Sequence, residues 1–85
     1  MNAAASALPF QLRTFDLNLL KVFDVVMSER SLTRAAEQLA LTQPAVSNAL
    51  RRLREALGDE LLVRKGRALE PTPRAETLWP AVRGF

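Results

Sequence analysis

The 85-residue sequence predicts an all-α domain, with a three-helix core trailed by a short β-hairpin and the start of a fourth helix. Three observations carry this reading. Apolar residues recur three and four apart between Leu19 and Leu57. Capping residues, Asp16, Ser31, Thr42 and Thr72, divide that periodicity into segments. After Gly58 the pattern breaks into two short apolar stretches on either side of a basic, glycine-containing tetrapeptide, too short for helices and suited to strands.

The first helix is capped by Asp16 and ends near Arg30, with Leu19, Leu20, Phe23, Val26 and Met27 on one face. Ser31 caps a second helix ending near Ala40; Ala35, Ala36 and Leu39 point inward, and Thr33, Arg34, Glu37 and Gln38 stay outside. Thr42 caps a third helix over about 43–57. Pro44 falls in its first turn, where a missing N–H is harmless, and Gly58 suits its C-terminal cap. At 100° per residue, Val46, Ala49, Leu50, Leu53 and Leu57 share one face of this helix, opposite Pro44, Ser47, Asn48, Arg51 and Glu55. Leu61 to Val63 and Ala68 to Pro71 then read as strands joined through Arg64-Lys65-Gly66-Arg67, a candidate wing. Thr72-Pro73 opens a fourth helix with Ala75, Leu78, Trp79 and Val82 as apolar positions, and Pro80 is expected to kink or end it. Trp79 and Phe85 look exposed, and the chain reads as a fragment of something longer.

Composition narrows the function. With 48% apolar and 25% charged residues the chain suits one globular domain. A core this small buries about 60 to 65% of the unfolded surface, so stability is marginal. No cysteine means no disulfide framework or thiolate metal site, and no histidine removes the commonest general base and metal ligand. The nine carboxylates are dispersed without a glycine-rich loop or a paired arrangement, so neither an enzyme nor a metal or cofactor site is expected. No apolar run approaches the roughly 18 to 20 residues of a membrane span, and residues 1–14 lack the features of a signal peptide. They read as a flexible leader, and the cytoplasm is the expected location.

The net charge of +3 is unevenly distributed. Asp16, Asp24 and Glu29 face only Lys21 in the first helix, whereas Arg51, Arg52, Arg54, Arg64, Lys65 and Arg67 outnumber Glu55, Asp59 and Glu60 between Thr42 and Arg67. Two short helices separated at Leu39 to Thr42, with Ala36 ten residues before Val46, match the helix-turn-helix plan, and the hairpin completes a winged version. The third helix carries short neutral groups at its start. Gln43 can bond bidentately to adenine, Pro44 and Ala45 can meet a thymine methyl, and Ser47 or Asn48 can reach a base edge or phosphate. Arg51, Arg52 and Arg54 follow where phosphates are nearest. The Ser31 and Thr42 hydroxyls sit at helix starts suited to phosphate, and Arg64, Lys65 and Arg67 can follow the backbone or enter a narrow minor groove.

Plainer readings stand beside these. Leu50, Leu53 and Leu57 are core. Ser31 and Thr42 are caps first, and Gln43 can be an ordinary helix-start residue. The arginines can form a solvated face with pairs such as Arg51 and Glu55, while Glu55, Asp59 and Glu60 can simply meet solvent. A winged-helix protein-interaction module is the alternative function, and it would expose an apolar patch on the third helix.

The runs Asp16-Leu-Asn-Leu-Leu, Ser31-Leu-Thr-Arg-Ala-Ala-Glu-Gln-Leu and Leu41-Thr-Gln-Pro-Ala-Val-Ser-Asn-Ala-Leu-Arg-Arg-Leu-Arg closely resemble the N-terminal domain of LysR-type transcriptional regulators. The likeness continues through Leu57-Gly-Asp-Glu-Leu-Leu-Val-Arg and Pro71-Thr-Pro-Arg-Ala, covering about 16–82, and looks most like the branch of nodulation and aromatic-catabolism regulators. The resemblance implies a winged helix-turn-helix over 15–71 that binds duplex DNA at interrupted inverted repeats, with Gln43, Pro44, Ala45, Ser47 and Asn48 at the major groove. It places Thr33 and Thr42 near phosphates, with Arg34 beside them, and Arg67 near the minor groove. Residues 72–85 would begin a linker helix that pairs in a homodimer, through Leu78, Trp79 and Val82. A small-molecule inducer would act through a C-terminal domain absent from this chain.

Overall fold

The computed structural model describes residues 17–84, so the leader, the Asp16 cap and Phe85 lie outside the described residues. Three helices, α1 (Leu17–Glu29), α2 (Leu32–Leu39) and α3 (Gln43–Leu57), precede the strands β1 (Leu62–Lys65) and β2 (Ala68–Pro71) and the helix α4 (Pro73–Arg83). The arrangement is a winged helix-turn-helix, as the periodicity predicts.

Leu19, Val22, Phe23, Val26 and Met27 of α1 form a buried stripe that meets Val46, Ala49, Leu50 and Leu53 of α3. Val22 belongs to this stripe, while Leu20 is only half-buried at its edge. α2 has eight residues, too few to persist alone, and is fixed at both ends. Ser31 Oγ accepts from Arg34 N at 3.2 Å, and the chain leaves through Ala40 in the left-handed region (φ 57°), with Leu41 N donating to Ala36 O at 2.9 Å. Its inward side chains, Ala35 and Ala36, are small and buried, which lets α2 and α3 approach closely. Thr42 caps α3 by accepting from Ala45 N at 3.2 Å, and Gly58, at φ 64°, closes it with an N–H to Arg54 O at 2.8 Å.

The hairpin is tighter than the sequence suggests. β1 and β2 pair antiparallel with Lys65 opposite Ala68, so Arg64 and Lys65 lie in the strand and only Gly66 and Arg67 form the turn. Gly66 takes φ 61° while Arg67 does not, the pattern of a two-residue turn with glycine in first position. Leu61 precedes the strand instead of joining it: it is fully buried and left-handed (φ 67°). That conformation costs a non-glycine residue about 1–2 kcal/mol. Asp59 offsets it. Its Oδ2 accepts from Leu61 N at 2.8 Å and from Thr72 Oγ1 at 2.6 Å, while Thr72 N donates to Leu61 O at 2.9 Å. Asp59 is thus a joint between the end of α3 and the start of α4, where the sequence reading left it in solvent.

Of the two outcomes expected at Pro80, a kink or an end, the helix does not end there: α4 runs through Pro80 to Arg83. A proline removes one helical hydrogen bond, and here packing holds the turn: Leu78, Trp79 and Val82 lie half-buried against the core, and Trp79 Nε1 donates to Asp24 Oδ1 of α1 at 2.8 Å. Trp79 is therefore not the exposed side chain its sequence context suggests. No helix among the described residues is long and apolar enough to cross a membrane.

Candidate nucleic-acid interface

Packing of the inward stripe leaves one face of α3 in solvent. Gln43, Pro44, Ala45, Ser47, Asn48, Arg51 and Arg52 are all exposed there, with the neutral groups in the first turns and the arginines beyond. Among the described residues the exposed large apolar side chain is Leu41, 44% exposed, and it lies in the turn before α3, not on it. The exposed face of α3 therefore carries no large apolar side chain, which disfavours the protein-interaction alternative.

The first turns of α2 and α3 are joined at this face. Gln43 Nε2 donates to Thr33 Oγ1 at 2.8 Å, both side chains being exposed. Ser31 and Thr42 are caps, as their positions predict, with oxygens already accepting one backbone N–H each.

The cations divide by what holds them. Arg34 turns back to the end of α1, donating to Glu29 O at 2.9 Å and Glu29 Oε1 at 3.3 Å. Arg51 bridges Glu55 Oε2 at 3.1 Å and Asn48 Oδ1, so the anticipated Arg51–Glu55 pair forms. Arg54 donates to Glu60 O at 2.9 Å and is half-buried, a brace for the α3 to β1 connection more than a free cation. Lys65 approaches Glu70 at 3.9 Å across the hairpin. Arg52, Arg64 and Arg67 are exposed and meet no carboxylate among the described residues.

The hairpin register separates cations that look equivalent in sequence. Arg64 is opposite Leu69, on the face shared with buried Leu62, whereas Lys65 lies on the other face with Val63 and Glu70. Arg64 accordingly borders a cleft of about 150 Å³ with Ser47 and Arg54, beside the exposed face of α3, and Arg67 stands at the turn. The sequence reading missed a second cleft, of about 430 Å³, where Asn18 and Lys21 of α1 come beside Ala45, Asn48 and Arg52 of α3. Their i, i+3 spacing and the isolation of Lys21 among acids were the available signals. Leu78, Trp79 and Val82 do not join this face; they pack on the core from α4. No cluster of three or more potential metal-ligating side chains occurs among the described residues.

Three helices, with an exposed, mainly polar face on the third beside a basic two-stranded wing, define a winged helix-turn-helix domain. Residues 17–76 match the profile described as bacterial regulatory helix-turn-helix protein, lysR family, and the chain belongs to that family. It is 58% identical over 73 residues to the HTH-type transcriptional regulator LeuO of Escherichia coli (strain K12), covering 86% of this chain and 23% of LeuO. Identity to Nodulation protein D 1 of Rhizobium meliloti (strain 1021) is also 58%, over 71 residues, covering 84% of this chain and 23% of that protein. The chain thus spans about a quarter of the length of these relatives. LeuO is by name a transcriptional regulator, and the matched family is that of a regulatory helix-turn-helix protein. The solved BenM DNA-binding domain in complex with catB site 1 DNA superposes with a TM-score of 0.78 at 33% identity, covering 82% of this chain and 79% of that one.

Proposed function

We propose that this domain binds duplex DNA sequence-specifically, with α3 in the major groove and the Gly66–Arg67 turn near the minor groove. The observation that carries this reading is the grading of the exposed α3 face, from neutral Gln43, Pro44, Ala45, Ser47 and Asn48 to Arg51 and Arg52. Short neutral groups at the tip suit base edges, and cations along the stem suit phosphates. The likeness to a domain solved in complex with DNA supports duplex binding. Ser31, Thr33 and Thr42 contact phosphates at helix starts, joined by Arg34, Arg54, Arg64, Lys65 and, from α1, Lys21. Arg34, Arg51, Arg54 and Lys65 exchange their intramolecular partners for phosphate to do so.

Two copies pair through α4, using the exposed remainder of Leu78, Trp79 and Val82. This presents the α3 helices about 34 to 36 Å apart to an interrupted inverted repeat. An inducer acts through a further domain of a longer protein, and a genomic ligand places the protein in the cytoplasm. Selection from a random duplex pool at several salt concentrations tests the reading. Enrichment of an inverted repeat is expected, a single half-site would remove the dimer, and no binding at low salt would overturn DNA recognition.

A further inference from the structure

Gln43 is the first residue of α3 and Thr33 lies in the first turn of α2, yet their side chains are hydrogen-bonded at 2.8 Å on the exposed face. A glutamine amide offers two N–H donors and a carbonyl acceptor, and in solvent its long side chain samples many rotamers. The Thr33 hydroxyl restricts that freedom by taking one N–H. What remains is one N–H and the carbonyl, a donor beside an acceptor.

That pair complements adenine, which presents N7 as acceptor and N6–H as donor in the major groove. It suits guanine poorly, because O6 and N7 are both acceptors and the amide has only one N–H left to give. We propose that Thr33 is a positioning residue for specificity: its hydroxyl holds the Gln43 amide so that the edge turned to the duplex selects adenine over guanine. The inference rests on the DNA-binding reading above and adds a residue that need not touch a base. In accepting from Gln43, Thr33 keeps its own O–H, which can donate to a phosphate. One hydroxyl then links the register of the helix on the backbone to the base being read.

The test compares this chain with its Thr33→Val, Thr33→Ser, Gln43→Ala and Thr33→Val/Gln43→Ala variants on the same random duplex pool, reading base frequencies in the bound fraction. Gln43→Ala identifies the base pair that Gln43 reads. At that position Thr33→Val should lower the preference for adenine over guanine about fivefold, the worth of one ordinary hydrogen bond, while Thr33→Ser keeps most of it. In the Gln43→Ala background Thr33→Val should change nothing further at that position. Both side chains are exposed, so the variants should fold, as thermal melting will verify. An unchanged preference in Thr33→Val, even with all duplexes bound more weakly, would overturn the proposal, as would an equal loss in the Gln43→Ala background. If the unaltered chain selects no sequence, the DNA-binding reading fails and this one with it; a selected sequence unmoved by Thr33→Val defeats this one alone.

Discussion

The indole N–H of Trp79 donates to Asp24 Oδ1 at 2.8 Å across 55 residues of sequence, tying the fourth helix to the first. Arg83 strengthens the tie, with Nε 3.6 Å from the same carboxylate oxygen and its guanidinium 5.3 Å from the centre of the indole ring. Trp79→Phe keeps an aromatic ring there but removes the donor. We expect a loss of about 1–2 kcal/mol and a fall in melting temperature of about 4–8 °C for each kcal/mol. In a double-mutant cycle with Asp24→Ala, which removes the acceptor, the two losses should be less than additive. Full additivity would show that the indole contributes only packing.

Packing is tested by adding volume at the narrow seat of α2 and by removing it from the core face of α3. Ala35 is fully buried, so Ala35→Leu should overpack the α2 to α3 contact and cost about 1–3 kcal/mol. Leu53, also fully buried, should cost about 2–5 kcal/mol as Leu53→Ala, by leaving a cavity. Urea unfolding measures both, and an Ala35→Leu protein as stable as the parent would contradict the close approach described here.

Asp59 gives a pH signature. The Thr72 hydroxyl foremost, then the Leu61 N–H and the nearby charge of Arg74, hold its carboxyl below the ordinary value of 3.8. A carboxyl that binds its proton more weakly when folded stabilises the fold above its unfolded pKa, and this contribution is lost as pH falls through the lowered folded value. Asp59→Asn should therefore melt below the parent at neutral pH, with the gap narrowing below about pH 4. A gap independent of pH would mean that the charge plays no part.

On DNA, the pairing of the cations separates two expectations. Arg52 meets no carboxylate among the described residues, so Arg52→Ala should weaken binding to every duplex and reduce the salt slope by about 0.9 per lost phosphate contact. Arg51 is held by Glu55, an exposed pair worth about 0–1 kcal/mol. Glu55→Ala leaves Arg51 only its bond to Asn48 and removes a neighbouring negative charge, and should tighten non-specific binding at low salt. Fluorescence anisotropy titrations on a scrambled duplex at three salt concentrations check both, and weaker binding by Glu55→Ala would show that the pair itself orients Arg51.

Most of the fold was legible because its signals are local. Ser31, Thr42 and Thr72 accept from the N–H three residues on, as their positions predict, and Gly58 caps α3. The outward α3 residues could be named from the helical period alone. What escaped depends on partners distant in sequence. Asp59 meets Thr72 thirteen residues on, Gln43 meets Thr33 ten residues back, and Asp24 meets Trp79, which helps α4 run through Pro80. No periodicity encodes such pairs. Arg64 and Lys65 look interchangeable until the register puts them on opposite faces.

That register also bears on how the hairpin can change length. Its turn has two residues, and strand side chains alternate faces, so inserting or deleting one residue between Leu62 and Arg64 would carry Arg64 to the outer face and bring a neighbour under the sheet. Length variation here should be tolerated in steps of two, which preserve the parity of the strand, and single-residue steps should be selected against.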